Sequence, residues 1–368
     1  MGKTYRVGLV GLRGIASGVP QPPGPRAAYL GRKVGPPFGR EIIGSHAACM
    51  ALMENVEVAA YCDLVPELLD EFAGKWASTW PEAKRFEDYR TMLAAAELDI
   101  LTVATSDHRH ADIVIDAANA GVKAILCEKP LATSMEDANR MIAACEQKAI
   151  PLSVGHTRAW DPLYHKIRDG IRDGDIGRLS SIIAIQGGAR AMMFRNGTHV
   201  LHGITFFAEA APTHVSGLLE EGYDSWTEYR GDGGKLPEND PAVSGLILFS
   251  NGVRAHYECS KTSIDGSLLH LIGAKGEIEY NYAEGFATLR TVNDSGSSVK
   301  ELIHPPGIGS SYQTMGYIAA YEELISLSES GGTGQSVGSG RDARRVVQIL
   351  TGFLKSHQAG SGLVEVPE

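Results

Sequence analysis

The sequence predicts an α/β chain in two parts: a parallel sheet over roughly the first 155 residues, then an α+β domain built on a large, open, mainly antiparallel sheet. Three observations predict it. Short apolar runs alternate with helical spacings from Tyr5 to Gly155, a pattern that implies right-handed crossovers between parallel strands. The run Ala124-Ile-Leu-Cys127 ends in Glu128-Lys129-Pro130, which delivers charge to the tip of a buried strand before Pro130 stops the ladder. Beyond residue 240 the apolar runs are joined by turn signals, led by Asn251-Gly252, a strong sign of a type I′ hairpin.

The chain has 368 residues, enough for two domains, and is 43% hydrophobic and 21% charged, an ordinary globular composition. Its net charge of −10 argues against a nucleic-acid partner and offers nothing to an anionic membrane. No apolar run approaches the length of a membrane span. The strand at Tyr5 leaves no room for a signal peptide. Cys49, Cys62, Cys127, Cys145 and Cys259 are odd in number, scattered, and without a Cys-x-x-Cys, as expected for reduced thiols in a cytoplasmic protein. No metal is expected, because neither His108-x-His110 nor His199-x-x-His202 sits in a zinc pattern.

The strand at residues 5–10 runs into Gly11-Leu-Arg-Gly-Ile-Ala16. The dinucleotide fingerprint Gly-x-Gly-x-x-Gly needs its second glycine so that the backbone can approach a pyrophosphate. Here Arg13 holds that place, with Gly14 beside it. From Ser17 to Ile43 the chain is rich in Pro and Gly and cannot be continuous helix. Helical spacing resumes over residues 44–53. This reads as an insertion at about 17–43 inside the fingerprint, with Gly44 standing in for the third glycine, usable as a lid over the cofactor or an arm around another subunit. The strand Val56–Cys62 ends at Asp63, where a Rossmann unit holds the adenosine ribose hydroxyls. Asp63 stands 52 positions after Gly11, and removing the insertion leaves about 25, near the usual spacing of about 20. No Arg or Lys follows closely to hold a 2′-phosphate, so NAD is expected over NADP.

Helices near 66–76 and 87–96 follow, then a strand at 98–105 ending in Ser106-Asp-His-Arg-His110 and a helix to about Ala120. After Pro130, the capping box Thr133-Ser-Met-Glu136 opens a helix to about Lys148, and Pro151–Gly155 adds a further strand. Ligands of an open parallel sheet bind beyond the carboxyl ends of its strands, so Lys129 projects into a cleft.

In the second half, Asp161-Pro162 starts a helix to about Arg172, and a long strand covers 179–187. Phe194 to His202 then runs into an apolar helix, which places His199 and His202 three apart on one face. Strands at 242–249, 253–259, 268–273, 277–282 and 286–293 precede a helix near 312–328, a Gly/Ser-rich connector (331–340) and a last helix at 341–357. The expected domains are therefore 1–155 for the dinucleotide, 156–340 for substrate and oligomerisation, and 341–368 packing back across the junction.

These motifs, in this order, resemble the Gfo/Idh/MocA family of NAD(P)-dependent sugar and inositol oxidoreductases. The resemblance rests on Gly11-Leu-Arg-Gly14, Thr105 to His110 and Glu128-Lys129-Pro130, joined by Arg158-Ala-Trp-Asp-Pro162, Asn196-Gly-Thr-His199 and Phe249-Ser-Asn-Gly-Val253. It implies a homodimer or homotetramer joined through the open sheet. It also implies that Gly11, Arg13, Gly14, Asp63, Thr105, Ser106, His110, Glu128 and Lys129 serve the cofactor. Four departures stand out: Arg13 replaces a glycine, Ser106 replaces the family's proline, the insertion at 17–43 is atypical, and Arg195 stands where an Asp often pairs with the catalytic histidine.

Oxidising a carbinol needs a base for its proton and positive charge for the developing alkoxide. Lys129, its pKa lowered by desolvation, supplies the charge, and His199 is the better general acid/base because its ordinary pKa lies near neutrality. Arg158, Trp160, Arg195, Asn196 and His202 are expected to grip hydroxyls or stack on a ring, and a carboxylate at Arg195 would make the substrate a sugar acid. The same lysine and histidine would serve a lyase or glycosidase-type enzyme that oxidises its sugar transiently and recovers the NAD. A non-catalytic NAD sensor has no need of a buried lysine at that strand tip.

Overall fold

The computed structural model describes residues 3–18, 44–232, 236–282, 286–293, 295–304, 312–332 and 334–368. The first half runs β1 (Tyr5–Val10), α1 (His46–Met50), β2 (Val56–Cys62), α2 (Pro66–Trp76), β3 (Lys84–Phe86), α3 (Tyr89–Ala95), β4 (Ile100–Val103), α4 (His110–Ala120), β5 (Ala124–Cys127), α5 (Met135–Gln147) and β6 (Leu152–Val154). The six strands pair in the order β3-β2-β1-β4-β5-β6, all parallel. That is the doubly wound order whose direction reverses between β1 and β4. Every residue of β4 and β5 is buried, as a strand covered on both faces requires. β3 escapes sequence reading because Lys-Arg-Phe carries no apolar run and lies at the sheet edge.

The second half runs α6 (Pro162–Asp173), β7 (Leu179–Gly187), α7 (Gly197–Ala208), β8 (Pro212–Leu219), β9 (Val243–Phe249), β10 (Arg254–Ser260), β11 (Gly266–Gly273), β12 (Gly276–Asn281), β13 (Ala287–Val292), β14 (Ser298–Ile303), α8 (Tyr312–Glu329), α9 (Gly340–Gln358) and β15 (Val364–Glu365). Its nine-stranded sheet has the order β14-β13-β12-β11-β7-β10-β9-β8-β15. Only β7 and β10 pair in parallel. One face carries the core, with Ile182 and Ala184 of β7 packed with Val200, Leu201 and Ile204 of α7. The other face leaves Ile183 36%, Ile185 41% and Leu218 57% exposed.

The structure departs from the expected domain limits. One unit comprises 1–132, 136–160 and 309–341, and the other 133–135, 161–308 and 342–368. The helix α8 therefore belongs with the parallel sheet, not with 156–340. Its Tyr317, Ala320, Tyr321 and Leu324 join that core, and Gly316 lets it close on the turn at Thr157–Trp160, where a Cβ would stand 2.6 Å from the Thr157 carbonyl. Residues 342–368 cluster with the nine-stranded sheet: Ile349, Leu350 and Phe353 of α9 join its core, and Phe353 lies so close to Gly217 and Gly245 that a Cβ would meet its ring at 2.8 and 2.5 Å.

Two local expectations are corrected as well. The 331–340 stretch is more than a connector: Ser336 donates to Glu323 at 2.7 Å, Val154 N donates to Gly338 O at 2.8 Å, and Ser153 and Ser339 form a bridge beside β6. The Asn251-Gly252 hairpin is present, but of the two only Gly252 has positive φ (88°), and its N–H donates to Phe249 O. This is the three-residue loop with a left-handed glycine, not type I′, because Asn251 is committed through Nδ2 to the Ala208 carbonyl and through Oδ1 to Val253 N. The insertion at 17–43 lies outside the described residues apart from Ser17 and Gly18. Described residues on either side of the remainder meet, since Ser45 Oγ donates to the Gly18 carbonyl.

Candidate active site

At the switch point of the parallel sheet, β1 gives way to Gly11 (φ 84°). A Cβ there would stand 2.5 Å from Ala104 O and 2.8 Å from Thr105 N, so only glycine lets the loop lie against the end of β4. Arg13 and Gly14 form the exposed tip, Gly14 with φ 53°. Asp63 accepts Leu12 N at 2.8 Å through one oxygen and Val65 N at 3.0 Å through the other. A carboxylate has about four acceptor positions, so capacity for ribose hydroxyls remains. Thr105 is half-buried and Ser106 exposed at the end of β4. The loop, the acid and the close backbone approach fit a dinucleotide. The helix after the fingerprint is short, five residues capped by Ser45 Oγ on Ala48 N.

One strand further, β5 ends in a buried cluster that sequence reading did not assemble. Glu128, 5% exposed, accepts from His46 Nε2 at 3.1 Å and Tyr317 OH at 2.5 Å. His46 Nδ1 meets Tyr321 OH at 2.9 Å, and that hydroxyl meets Thr102 Oγ1 at 2.9 Å. The carboxylate needs Gly155, where a Cβ would stand 2.7 Å from its Oε1. Burial alone would raise the Glu128 pKa; the hydrogen bond and charge of His46, the charge of Lys129 and the Tyr317 hydroxyl outweigh it and hold the group at about 2. Glu128 Oε2 also accepts the backbone N–H of Lys129 at 3.3 Å. On the other side, the ring of His110, fully buried, meets the Pro130 carbonyl at 3.0 Å. Glu128 and His110 therefore brace the segment that presents half-buried Lys129. A histidine directly after Gly44-Ser45 and tyrosines four apart in α8 were the available signals, but nothing in the linear sequence joins them.

Arg158 and Trp160 lie in the turn after β6. The Trp160 indole is buried, donates to Glu323 Oε2 at 2.9 Å and packs on Gly338. It is committed to the core of its unit.

Arg195, Asn196, His199 and His202 come together at the start of α7 in the other unit. His199 is half-buried and His202 2% exposed, with its ring 6.1 Å from Phe206. Gly197 lets the helix start against Tyr257, whose hydroxyl would be 2.6 Å from a Cβ. The Asn196 side chain donates to Arg190 O at 2.6 Å. The residue missed here is Asp240, which accepts Phe194 N at 3.0 Å and Arg195 N at 2.8 Å and so fixes the approach to the helix.

All five cysteines are buried thiols outside any disulfide, and burial pushes Cys49, Cys62, Cys145 and Cys259 up to about 12. Among the described residues no group of three or more His, Cys, Asp or Glu could hold a metal, and no helix is long and apolar enough to cross a membrane.

Residues 41–156 match the family described as GFO_IDH_MocA, an oxidoreductase family with an NAD-binding Rossmann fold. D-Apiose dehydrogenase of Paraburkholderia graminis is 37% identical over 125 residues, 34% of this chain and 32% of that protein. The chain thus spans about a third of the length of the first curated relatives it matches. Levoglucosan dehydrogenase of Pseudarthrobacter phenanthrenivorans is 24% identical over 356 residues, 83% of this chain and 89% of that one. The solved structure of a levoglucosan dehydrogenase in complex with NADH and levoglucosan superposes with a TM-score of 0.74 over 100% of both chains at 20% identity, a likeness of fold.

Proposed function

We propose that the chain, whose residues 41–156 match the Gfo/Idh/MocA oxidoreductase family, is an NAD-dependent dehydrogenase acting on a secondary hydroxyl of a sugar, inositol, glycoside or sugar acid. The observation that carries the reading is Lys129 at the carboxyl end of β5, one strand from the switch point where Gly11 admits a dinucleotide. Bound NAD would supply the acceptor for the carbinol hydride. Gly11, Arg13, Gly14, Thr105 and Ser106 would hold its pyrophosphate, and Asp63 would hold the adenosine ribose. Lys129 places positive charge on the developing alkoxide, and His199 receives the hydroxyl proton. Arg195, Asn196, His202 and Arg158 orient the remaining hydroxyls. Glu128 and His110 support the segment that carries Lys129 beside the cofactor; Trp160, committed to the core, leaves the substrate set. The open face of the nine-stranded sheet, with Ile183, Ile185 and Leu218, joins copies of the chain into a dimer or tetramer.

The test is NADH formation across a panel of myo-inositol, D-apiose, levoglucosan, aldoses and uronates. NADH accumulating in proportion to product supports the dehydrogenase. Product without accumulated NADH identifies the lyase or glycosidase-type chemistry, and no turnover across the panel removes the proposed substrate class.

A further inference from the structure

Behind Lys129 lies an anion that nothing in the hydride chemistry itself requires. Glu128 is buried, yet donors from two elements distant in sequence converge on it: His46 of α1 and Tyr317 of α8. Its second oxygen turns to the Lys129 backbone N–H. An ionised carboxylate in such a place is costly unless its partners are fixed. They are: His46 is held at its other nitrogen by Tyr321, and Tyr321 by Thr102. Among the titratable groups around the cluster, Cys49, Cys127, Tyr317 and Tyr321 are pushed upward by burial and stay neutral. Charge facing Glu128 therefore comes from His46 and Lys129.

We propose that His46 and Tyr317 are positioning residues for Lys129, acting through the Glu128 carboxylate that they hold between them. They keep that group an anion, so that it fixes the Lys129 backbone and balances the ammonium charge from below. The proposal rests on the reading of Lys129 as the group that meets the alkoxide. Its chemistry is that of a relay in which no proton needs to move: two donors set one carboxylate, and the carboxylate sets one lysine.

The test uses the full chain without substrate. Trace acetic anhydride labels lysines in their neutral form, and mass spectrometry reads Lys129 against exposed Lys75 across neutral and alkaline pH. Glu128→Gln removes the balancing anion and should lower the half-labelling pH of Lys129 by about one unit, about tenfold in rate at a fixed pH below it. His46→Leu with Tyr317→Phe strips the donors, raises the carboxyl and should move Lys129 in the same direction, with no further shift when added to Glu128→Gln. Tyr317→Phe alone, one oxygen smaller, should give a smaller shift of the same sign. NADH binding and near-UV circular dichroism establish that each variant is folded. An unchanged or raised half-labelling pH in folded Glu128→Gln or Tyr317→Phe overturns the relay. The reading of Lys129 fails separately, if Lys129→Ala keeps near-normal kcat on a panel substrate.

Discussion

The two sheets of this molecule treat their surfaces in opposite ways. The six-stranded sheet is covered on both faces, so its β4 and β5 are buried at every residue and chemistry is left to the strand ends. The nine-stranded sheet is covered on one face, by α7 and α9, and keeps Ile183, Ile185 and Leu218 exposed on the other. Its candidate chemistry sits on a helix laid against the sheet, not at a strand tip. A doubly covered sheet presents what it holds at its edges and ends; a half-covered one leaves a whole face open.

The sharpest way to break this comparison is to remove the chemistry each region contributes. Lys129→Ala should lower kcat and kcat/KM together by about 10²–10³-fold while NADH affinity stays nearly intact. His199→Asn should cost about 10²–10⁴-fold and flatten the acidic limb of the pH–rate profile, whereas His202→Asn should chiefly raise KM. If the two histidine variants exchange these effects, the base sits at His202.

Next in size is acid stability. The Glu128 carboxyl lies at about 2 in the folded chain against 4.5 as its reference, so its contribution is present above that reference and is lost as the pH falls toward 2. The shift corresponds to on the order of 3 kcal/mol. Urea midpoints measured down through this window should fall more steeply for the native chain than for Glu128→Gln; parallel curves would mean that the cluster does not hold its anion.

The exposed face gives a third outcome. Ile183→Asp with Ile185→Asp should reduce the oligomer seen by light scattering without changing the thermal transition of the unit by more than about 0.5 kcal/mol equivalent, because both side chains already face solvent. An unaltered oligomer would place the association elsewhere. Smallest is cofactor choice: NADH should bind more tightly than NADPH, and Asp63→Ala should narrow the difference by up to about tenfold, or 1.4 kcal/mol. A tenfold preference for NADPH would reverse the reading of that strand end.

How much of this was legible follows from the same contrast. The buried runs of β1, β2, β4 and β5 announce themselves because both faces demand apolar residues. The acid after β2 and the lysine after β5 follow from where those runs stop. What the sequence could not show depends on residues far apart along it. Glu128 and Tyr317 are 189 positions apart, and Asp240 meets the Arg195 backbone across 45. Trp160 looked like a stacking surface because its commitment to Glu323 lies 163 positions away. β3 and β14 were missed because exposed edge strands have little burial to advertise.

The meeting of Gly18 and Ser45 has one further consequence. Because the chain departs and returns at a single point, the fingerprint is contiguous in space although it is interrupted in the linear sequence. The match to the family begins at residue 41, at the far end of the interruption, and so omits the strand and glycine that define the motif. A detour of this kind costs little, since doubling a loop adds only about 0.6 kcal/mol of closure entropy. Its length can therefore change at little cost to the glycine loop that it interrupts. Kinship judged along the string will be underestimated wherever such a detour falls, and kinship judged by neighbours in space will not.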